Sequence, residues 1–308
     1  KKTESIDVMD GVGSNIRVDT YGWEVKRILP RINEEINEEW ISDKTRYACD
    51  GLLKQRIDTP YIKENNKLRK ASWDEANELI IKKIKSVNHQ EIAAHIGDLS
   101  NIEAMYALKK FINLNKSKNI EIKERDFYIN TNERMNYLFN SSIKEIENAD
   151  LILLIGCDPR HEATMINARI RKAKTKNGTK VFSFGNSGDL TYDYEVIGNK
   201  TGDLRKFVED KHEFNKIFNK SLKPLVILGE SVLGLKSGGF IFEEIKAYLI
   251  KKKFITSDWN ALNILLQNAS TVGGLDLGLS NSNDFFKKMS NHEFKFIYLL
   301  GSDNLEIK

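Results

Sequence analysis

Five short, mainly apolar runs in this chain each end in glycine: Glu91 to Gly97, Leu151 to Gly156, Lys180 to Gly185, Pro224 to Gly229 and Phe294 to Gly301. Runs that are apolar at successive positions, not alternate ones, have no face to offer water, so each is expected to be a strand buried on both sides. Burying both faces requires helices above and below a parallel sheet, and right-handed β-α-β crossovers supply them. Helices are legible between the runs. Ser72-Trp-Asp-Glu75 is a capping pattern ahead of an apolar stripe at Trp73, Ala76, Ile80, Ile84 and Val87, and Ser100-Asn-Ile-Glu103 opens a second helix carrying Met105, Leu108, Phe111 and Ile112. The region from about Lys67 onward is therefore expected to be doubly wound, Rossmann-like α/β. No internal repeat is visible beyond this rhythm of strand, glycine and helix.

The first sixty or so residues have another texture. Gly11, Gly13, Gly22 and Gly51 punctuate short segments such as Asn15 to Thr20 and Glu24 to Leu29, which predicts a small β-rich module. The expected division is 1–65 for this module, 66–215 for a Rossmann-like unit and 216–308 for a second α/β unit. Glu34, Glu35, Glu38 and Glu39 could be paired carboxylates or a metal site, but Ile32, Ile36 and Trp40 recur on the opposite stripe, so a solvated helix face with a buried back is expected.

Charge and cysteine content exclude several classes. With 48 basic and 44 acidic residues scattered along 308, the net charge of +4 does not describe a nucleic-acid groove. Cys49 and Cys157 cannot make a disulfide framework or a four-thiolate site. The most apolar stretch, Phe294 to Leu300, is far short of the roughly 20 residues that cross a bilayer. The chain opens at Lys1 without an initiator Met, which reads as a processed or trimmed start.

In open α/β sheets ligands bind beyond the carboxyl ends of the strands, which directs attention to the loops after Ile155, Phe184 and Leu228. The first reads Gly156-Cys-Asp-Pro-Arg160. Asp158 as a cap and Pro159 as a first helical residue account for most of it, while the functional reading has helix-end amides and Arg160 grip a phosphate. Cys157 and His161 are too few to close a metal sphere. Gly185-Asn-Ser-Gly188 and the loop from Gly229 to Gly234 lack the Gly-Lys-Ser/Thr of an NTPase loop, Gly11 and Gly13 stand outside a strand-to-helix context, and no G-x-S-x-G elbow occurs. ATP hydrolysis, nicotinamide binding and serine-hydrolase chemistry have no anchor.

Thr3 to Ile16, Gly22 to Arg31 and Asn37 to Arg46, with Asn140 to Ile143, Asp158 to Arg160, Asn167 to Arg171, Asp189 to Tyr192, Asp258-Trp259, Leu262 to Leu265 and Leu299 to Gly301, closely resemble the large iron-sulfur subunit of respiratory complex I. The resemblance runs over essentially the whole chain and corresponds to that family's C-terminal, molybdopterin-oxidoreductase-like part. It implies a small β-rich N-terminal module followed by doubly wound Rossmann-like α/β units, in a split or truncated subunit. In related enzymes the segment matching Ile6 to Ile16 carries C-x-x-C-x-x-x-C, with a fourth cysteine in the segment matching Trp40 to Arg46. Here those positions are Asp7, Asp10, Ser14 and Ser42.

From this loss of sulfur the chain is expected to hold no iron-sulfur cluster, and the resemblance to complex I members, which have lost the molybdenum cofactor, further implies no other cofactor or metal and no catalytic residue here. Gly156, Asp158 and Arg160 are left as a vestigial ligand loop, and iron-sulfur clusters and FMN are expected on partner subunits or on the family's missing N-terminal part. The resemblance further implies a structural place in the peripheral arm of NADH:ubiquinone oxidoreductase, on the matrix side of the mitochondrial inner membrane. Its partners would be other peripheral-arm subunits, including the chain with the N-terminal clusters, with no nucleic acid and no membrane span. The alternative is an active molybdopterin-dependent oxidoreductase, which would need a cofactor pocket and a molybdenum ligand.

Overall fold

The computed structural model describes residues 1–280 and 284–302. In chain order the strands are β1 (Lys2–Ile6), β2 (Asn15–Tyr21), β3 (Glu24–Pro30), β4 (Tyr61–Glu64), β5 (Lys67–Lys70), β6 (Ile92–Ile96), β7 (Asn119–Glu121), β8 (Leu151–Ile155), β9 (Lys180–Phe184), β10 (Glu195–Gly198), β11 (Pro224–Gly229), β12 (Leu262–Leu265) and β13 (Phe296–Leu300). The five glycine-ended runs are β6, β8, β9, β11 and β13; β6, β8 and β11 are buried throughout and β9 at every residue but Lys180, whereas no residue of β13 is buried, so the expectation of burial on both sides fails there. The chain divides into two compact units. One comprises Lys1–Thr20, Lys26–Tyr47 and Asp126–Val272; the other comprises Tyr21–Val25, Ala48–Arg125 and Gly273–Lys308.

The first unit is organised around a five-stranded parallel sheet in the order β10-β9-β8-β11-β12. β8 and β11 lie side by side at its centre with every residue buried. The expected boundary near 215 falls between β10 and β11, which share this sheet. On one face Ile152, Leu154 and Ile227 pack with Ile166 and Ile170 of the helix Thr164–Asn177 and with Val12 from the N-terminal segment. That segment forms an antiparallel sheet ordered β1-β2-β3.

No helix forms over the acidic stretch. Residues 34–37 and 39 are turns closed by an antiparallel bridge between Asn33 and Glu38, Glu38 has φ of 49°, and Ile32 and Trp40 are exposed, so only Ile36 reaches the core. Two asparagines are the cause. Asn33 Oδ1 accepts from Glu35 N, and buried Asn37 donates through Nδ2 to the carbonyls of Arg31 and Trp40 while its Oδ1 accepts from Asn15 N. Side chains that bond neighbouring backbone offer an alternative to the helix, and here the alternative wins.

The second unit carries the parallel sheet β13-β6-β7 and the hairpin β4-β5. Ala93 of β6 packs with Phe285, Met289 and Phe294 on one face, and the ring of Tyr298, paired with Ala94, meets Phe111 of the helix Ile102–Leu114 on the other. Ser72 caps the helix Trp73–Lys85 by accepting from Glu75 N, but none of that helix's residues is buried. The next helix starts one residue later than its S-x-x-E pattern suggests. Asn101 is the cap, accepting from Ala104 N, because the Ser100 hydroxyl is engaged with the Leu300 carbonyl.

Candidate functional site

The fold gathers Asp7, Asp10, Ser14 and Ser42 into one buried polar knot, each 3% exposed or less. Asp7 N donates to the Ser14 carbonyl at 2.8 Å, which closes the loop between β1 and β2. Asp7 Oδ2 accepts from Thr45 Oγ1 at 2.5 Å and Asp7 Oδ1 from Met9 N at 2.9 Å. Because the Thr45 hydroxyl is spent on Asp7, the 2.8 Å bond between Ser42 and Thr45 has Ser42 as donor. Asp10 Oδ1 accepts from Val12 N, and its Oδ2 lies 3.5 Å from Lys44 Nζ, which also reaches the His161 carbonyl. Burial holds the Asp10 carboxyl above the usual carboxylate range, with Val12 N and Lys44 opposing that rise. Thr45 and Lys44 were not singled out from the sequence, although the spacing Ser42-x-x-Thr45 is a recognisable local hydrogen-bonding pattern.

The loop at Gly156 lies at the switch point of the first sheet, since β9 lies on one side of β8 and β11 on the other. The crevice expected there is shut. Gly156, at φ of 59°, approaches Val232, the Ser231 hydroxyl donates to the Gly156 carbonyl, and Gly229 lies so close that an added Cβ would overlap that carbonyl. Asp158 caps Arg160 N at 3.1 Å and pairs with His161 Nδ1 at 2.7 Å. Arg160 is bound to Asp189, through the carbonyl at 2.8 Å and Oδ2 at 2.6 Å, and the helix it starts is only Pro159–Glu162. Cys157 turns away from His161 toward the Ile227 carbonyl, and burial pushes its thiol up. Groups of three or more His, Cys, Asp or Glu placed to hold a metal ion do not occur among the described residues.

Two further features escaped the sequence reading. Arg169, on the helix Thr164–Asn177 and 3% exposed, clamps the asparagine turn by donating to the Glu34 and Ile36 carbonyls and to Glu147. A cavity of about 300 Å³ lies between Gly11-Val12 and the end of β12. Its walls are chiefly apolar, including Leu138, Phe139, Ile143, Ile166, Ile264 and Leu266, with Ser141 and Asn268 among the few polar groups.

Residues 56–308 match the model of the molybdopterin oxidoreductase family, and the chain belongs to that family. Residues 1–50 match the 4Fe-4S domain of the NADH-ubiquinone oxidoreductase NDSU1/NuoG-like type. Among curated relatives, the NADH-ubiquinone oxidoreductase 75 kDa subunit of Reclinomonas americana is 41% identical over 324 residues, covering 100% of this chain and 47% of its own. The mitochondrial 78 kDa subunit of the same enzyme from Neurospora crassa is 40% identical, covering 98% of this chain and 41% of its own. The mitochondrial NADH dehydrogenase (ubiquinone) iron-sulfur protein 1 of Solanum tuberosum is 39% identical over 100% and 41% respectively. The chain thus spans a little under half the length of these relatives. The solved acetylene hydratase of Pelobacter acetylenicus aligns over 98% of this chain and 40% of its own at 12% identity and TM-score 0.48, a likeness that carries no argument.

The match over residues 1–50 corrects one expectation. It points to an iron-sulfur cluster in this chain, against the expectation that the chain holds no cofactor. That expectation took the loss of four cysteines as the loss of the group, whereas the domain type is carried by the whole segment. Asp7, Asp10, Ser14 and Ser42 offer hard oxygen donors, and the side chains of Asp7, Asp10 and Ser42 are already engaged with Met9 N, Val12 N, Thr45 and Lys44. They do not fit the soft thiolate shell of a cluster, and no electron-transfer step follows from them. A molybdopterin group fits poorly for a separate reason. Its phosphate and hydrogen-bonding pterin need polar donors and an open glycine loop, whereas the loops at Gly156 and Gly229 are closed on each other and the nearby cavity is apolar.

Proposed function

We propose that this chain is a non-catalytic core component of the peripheral arm of mitochondrial NADH:ubiquinone oxidoreductase. The observation that carries this reading is the identity of 41% sustained over the whole chain with the Reclinomonas 75 kDa subunit. The closed switch point adds physical support, because a fold that fills its own ligand crevice with backbone contacts is suited to bearing load between neighbours. In this role Asp7, Asp10, Ser14 and Ser42 act with Thr45 and Lys44 as fasteners of the N-terminal segment. Gly156, Asp158 and Arg160 act as a packed turn. The partners are other subunits of the arm, and they hold the chain at the matrix face of the inner membrane. No helix among the described residues is long and apolar enough to cross a membrane, which supports attachment through neighbours.

A tagged chain expressed in its own cells and followed on native gels of mitochondrial membranes tests the reading. The tag is expected to run in a high-mass band that oxidises NADH, and depleting the chain is expected to reduce that band. Migration as a free protein, or in a complex without NADH oxidation, would overturn the assignment. NADH turnover by the purified chain alone would overturn its non-catalytic character.

A further inference from the structure

A polar cavity of about 570 Å³ opens in the second unit at the amino ends of β6 and β7, with Glu91, Lys116, Lys118, Asn119, Lys288 and Glu293 among its walls. Ligands of open α/β sheets ordinarily bind at the opposite, carboxyl end, so that rule does not account for this cavity. Chain order builds it. The helix Ile102–Leu114 runs down to Asn119 at the start of β7, and the turn after a second helix, Phe285–Ser290, is tied to β6 by the 2.9 Å bond from Lys295 N to the Glu91 carbonyl.

Lysines where helices end usually serve the last-turn carbonyls. Here the backbone does that. The N–H groups of Asn115, Lys116 and Ser117 donate to the carbonyls of Phe111, Asn113 and Ile112, and those of Asn291, His292 and Glu293 donate to Lys287, Met289 and Lys288. The two carboxylates in the walls are engaged as well, Glu91 Oε2 by Asn88 N at 2.9 Å and Glu293 Oε1 by Asn291 Nδ2 at 3.0 Å. The ammonium groups of Lys116, Lys118 and Lys288 have no hydrogen-bond or ion-pair partner among the described residues. Nor does the floor repel an anion. The Gln90 and Ile92 carbonyls accept from Asn119 Nδ2, and the Ile92 carbonyl also accepts from Ser117 Oγ. Lys116 has φ of 57° at the position after a helix where glycine is the relaxed choice, so a side chain stands there at a cost in backbone strain that glycine would not carry.

We propose that this cavity binds the diphosphate group of a small molecule, held between Lys116 and Lys118 on one side and Lys288 on the other. Three lysines against two carboxylates leave one positive charge in excess. Lysines on two separate elements meet charge at both ends of an extended anion, which a diphosphate offers and a compact anion does not. The volume lies within the range of small-molecule sites.

Calorimetric titration of the purified chain, with inorganic pyrophosphate as the probe, is the test. One saturable site is expected, with orthophosphate binding at least about 10-fold more weakly. Absence of saturable binding, or equal binding of the two anions, would overturn the proposal. Lys116→Gly removes one ammonium and relieves the left-handed backbone, so the thermal midpoint is expected to hold or rise while pyrophosphate affinity falls by about 10-fold, the loss of one charge-assisted contact. Lys82→Gln, on the helix Trp73–Lys85 that has no buried residue, controls for bulk charge and is expected to leave affinity unchanged. Unchanged affinity in Lys116→Gly, or an equal loss in both variants, would overturn the assignment. Titration with ADP in parallel separates the sources: binding tighter than pyrophosphate identifies a nucleoside diphosphate, and equal or weaker binding identifies the free diphosphate.

Discussion

The Thr45 hydroxyl donates to Asp7 Oδ2 at 2.5 Å, joining two buried residues 38 positions apart in sequence. Through it the loop between β1 and β2 is held to the segment that follows the asparagine turn. Thr45→Val keeps the shape and removes the donor, leaving a buried carboxylate oxygen short of a partner. The expected cost is about 1–3 kcal/mol. Denaturant titration checks it, and an unchanged midpoint would show that the knot carries no such strain.

Glycine at 229 is required by the approach of two backbones. An added methyl would overlap the Gly156 carbonyl and stand 2.9 Å from Cys157 Cα, and neither can swing aside as a side-chain end can. Gly229→Ala is expected to destabilise by roughly 1–3 kcal/mol or to abolish folding. Gly202→Ala is the control. Its helical position has nothing within 4 Å, so it is expected to be neutral or to stabilise by up to about 1 kcal/mol. Comparable losses in the two variants, measured by thermal unfolding, would refute the closed-crevice account.

Acid sensitivity should arise in part at Asp19. Hydrogen bonds from Arg17 Nε and Arg27 Nε, each 2.9 Å long, hold its carboxyl at about 2, below the ordinary 3.8. A folded pKa below the unfolded one gives stability that is present above about 3.8 and lost as pH falls toward 2. Asp19→Asn is expected to flatten the fall in melting temperature across that window. Identical slopes for the two proteins would remove Asp19 from the explanation.

The Cys157 thiol is 4% exposed and burial disfavours its thiolate, so it is expected to resist alkylation by iodoacetamide at pH 8 in the folded chain and to react on denaturation. Peptide mass mapping reads this directly. Rapid native labelling at Cys157 would mean that the turn after β8 opens far more readily than its packing implies.

Much of the architecture was legible. Every glycine-ended apolar run is a strand, and Ser72 is a cap. β7, β10 and β12 were missed because they are only three or four residues long, and Asn119, Glu121, Glu195 and Asn263 interrupt their apolar character. The helix expected across Glu34 to Glu39 failed because periodicity counts apolar spacing and is blind to what Asn33 and Asn37 bond. At the candidate site Asp7, Asp10, Ser14 and Ser42 were picked out by the family resemblance and not by any local chemical pattern of their own. The roles of Arg169 and Lys44 were not, since nothing local marks a basic residue whose partners lie more than thirty positions away or on another element.

The amino-acid order alone determined which five stretches become strands, because runs apolar at successive positions leave no face for water; it did not determine that β13 stays partly exposed. Tertiary structure decided that β8 lies beside β11, that their glycines close the crevice, and that β13 is an edge strand among the described residues. Those outcomes depend on how closely backbones from distant parts of the chain approach one another, and no local pattern of side chains records that distance.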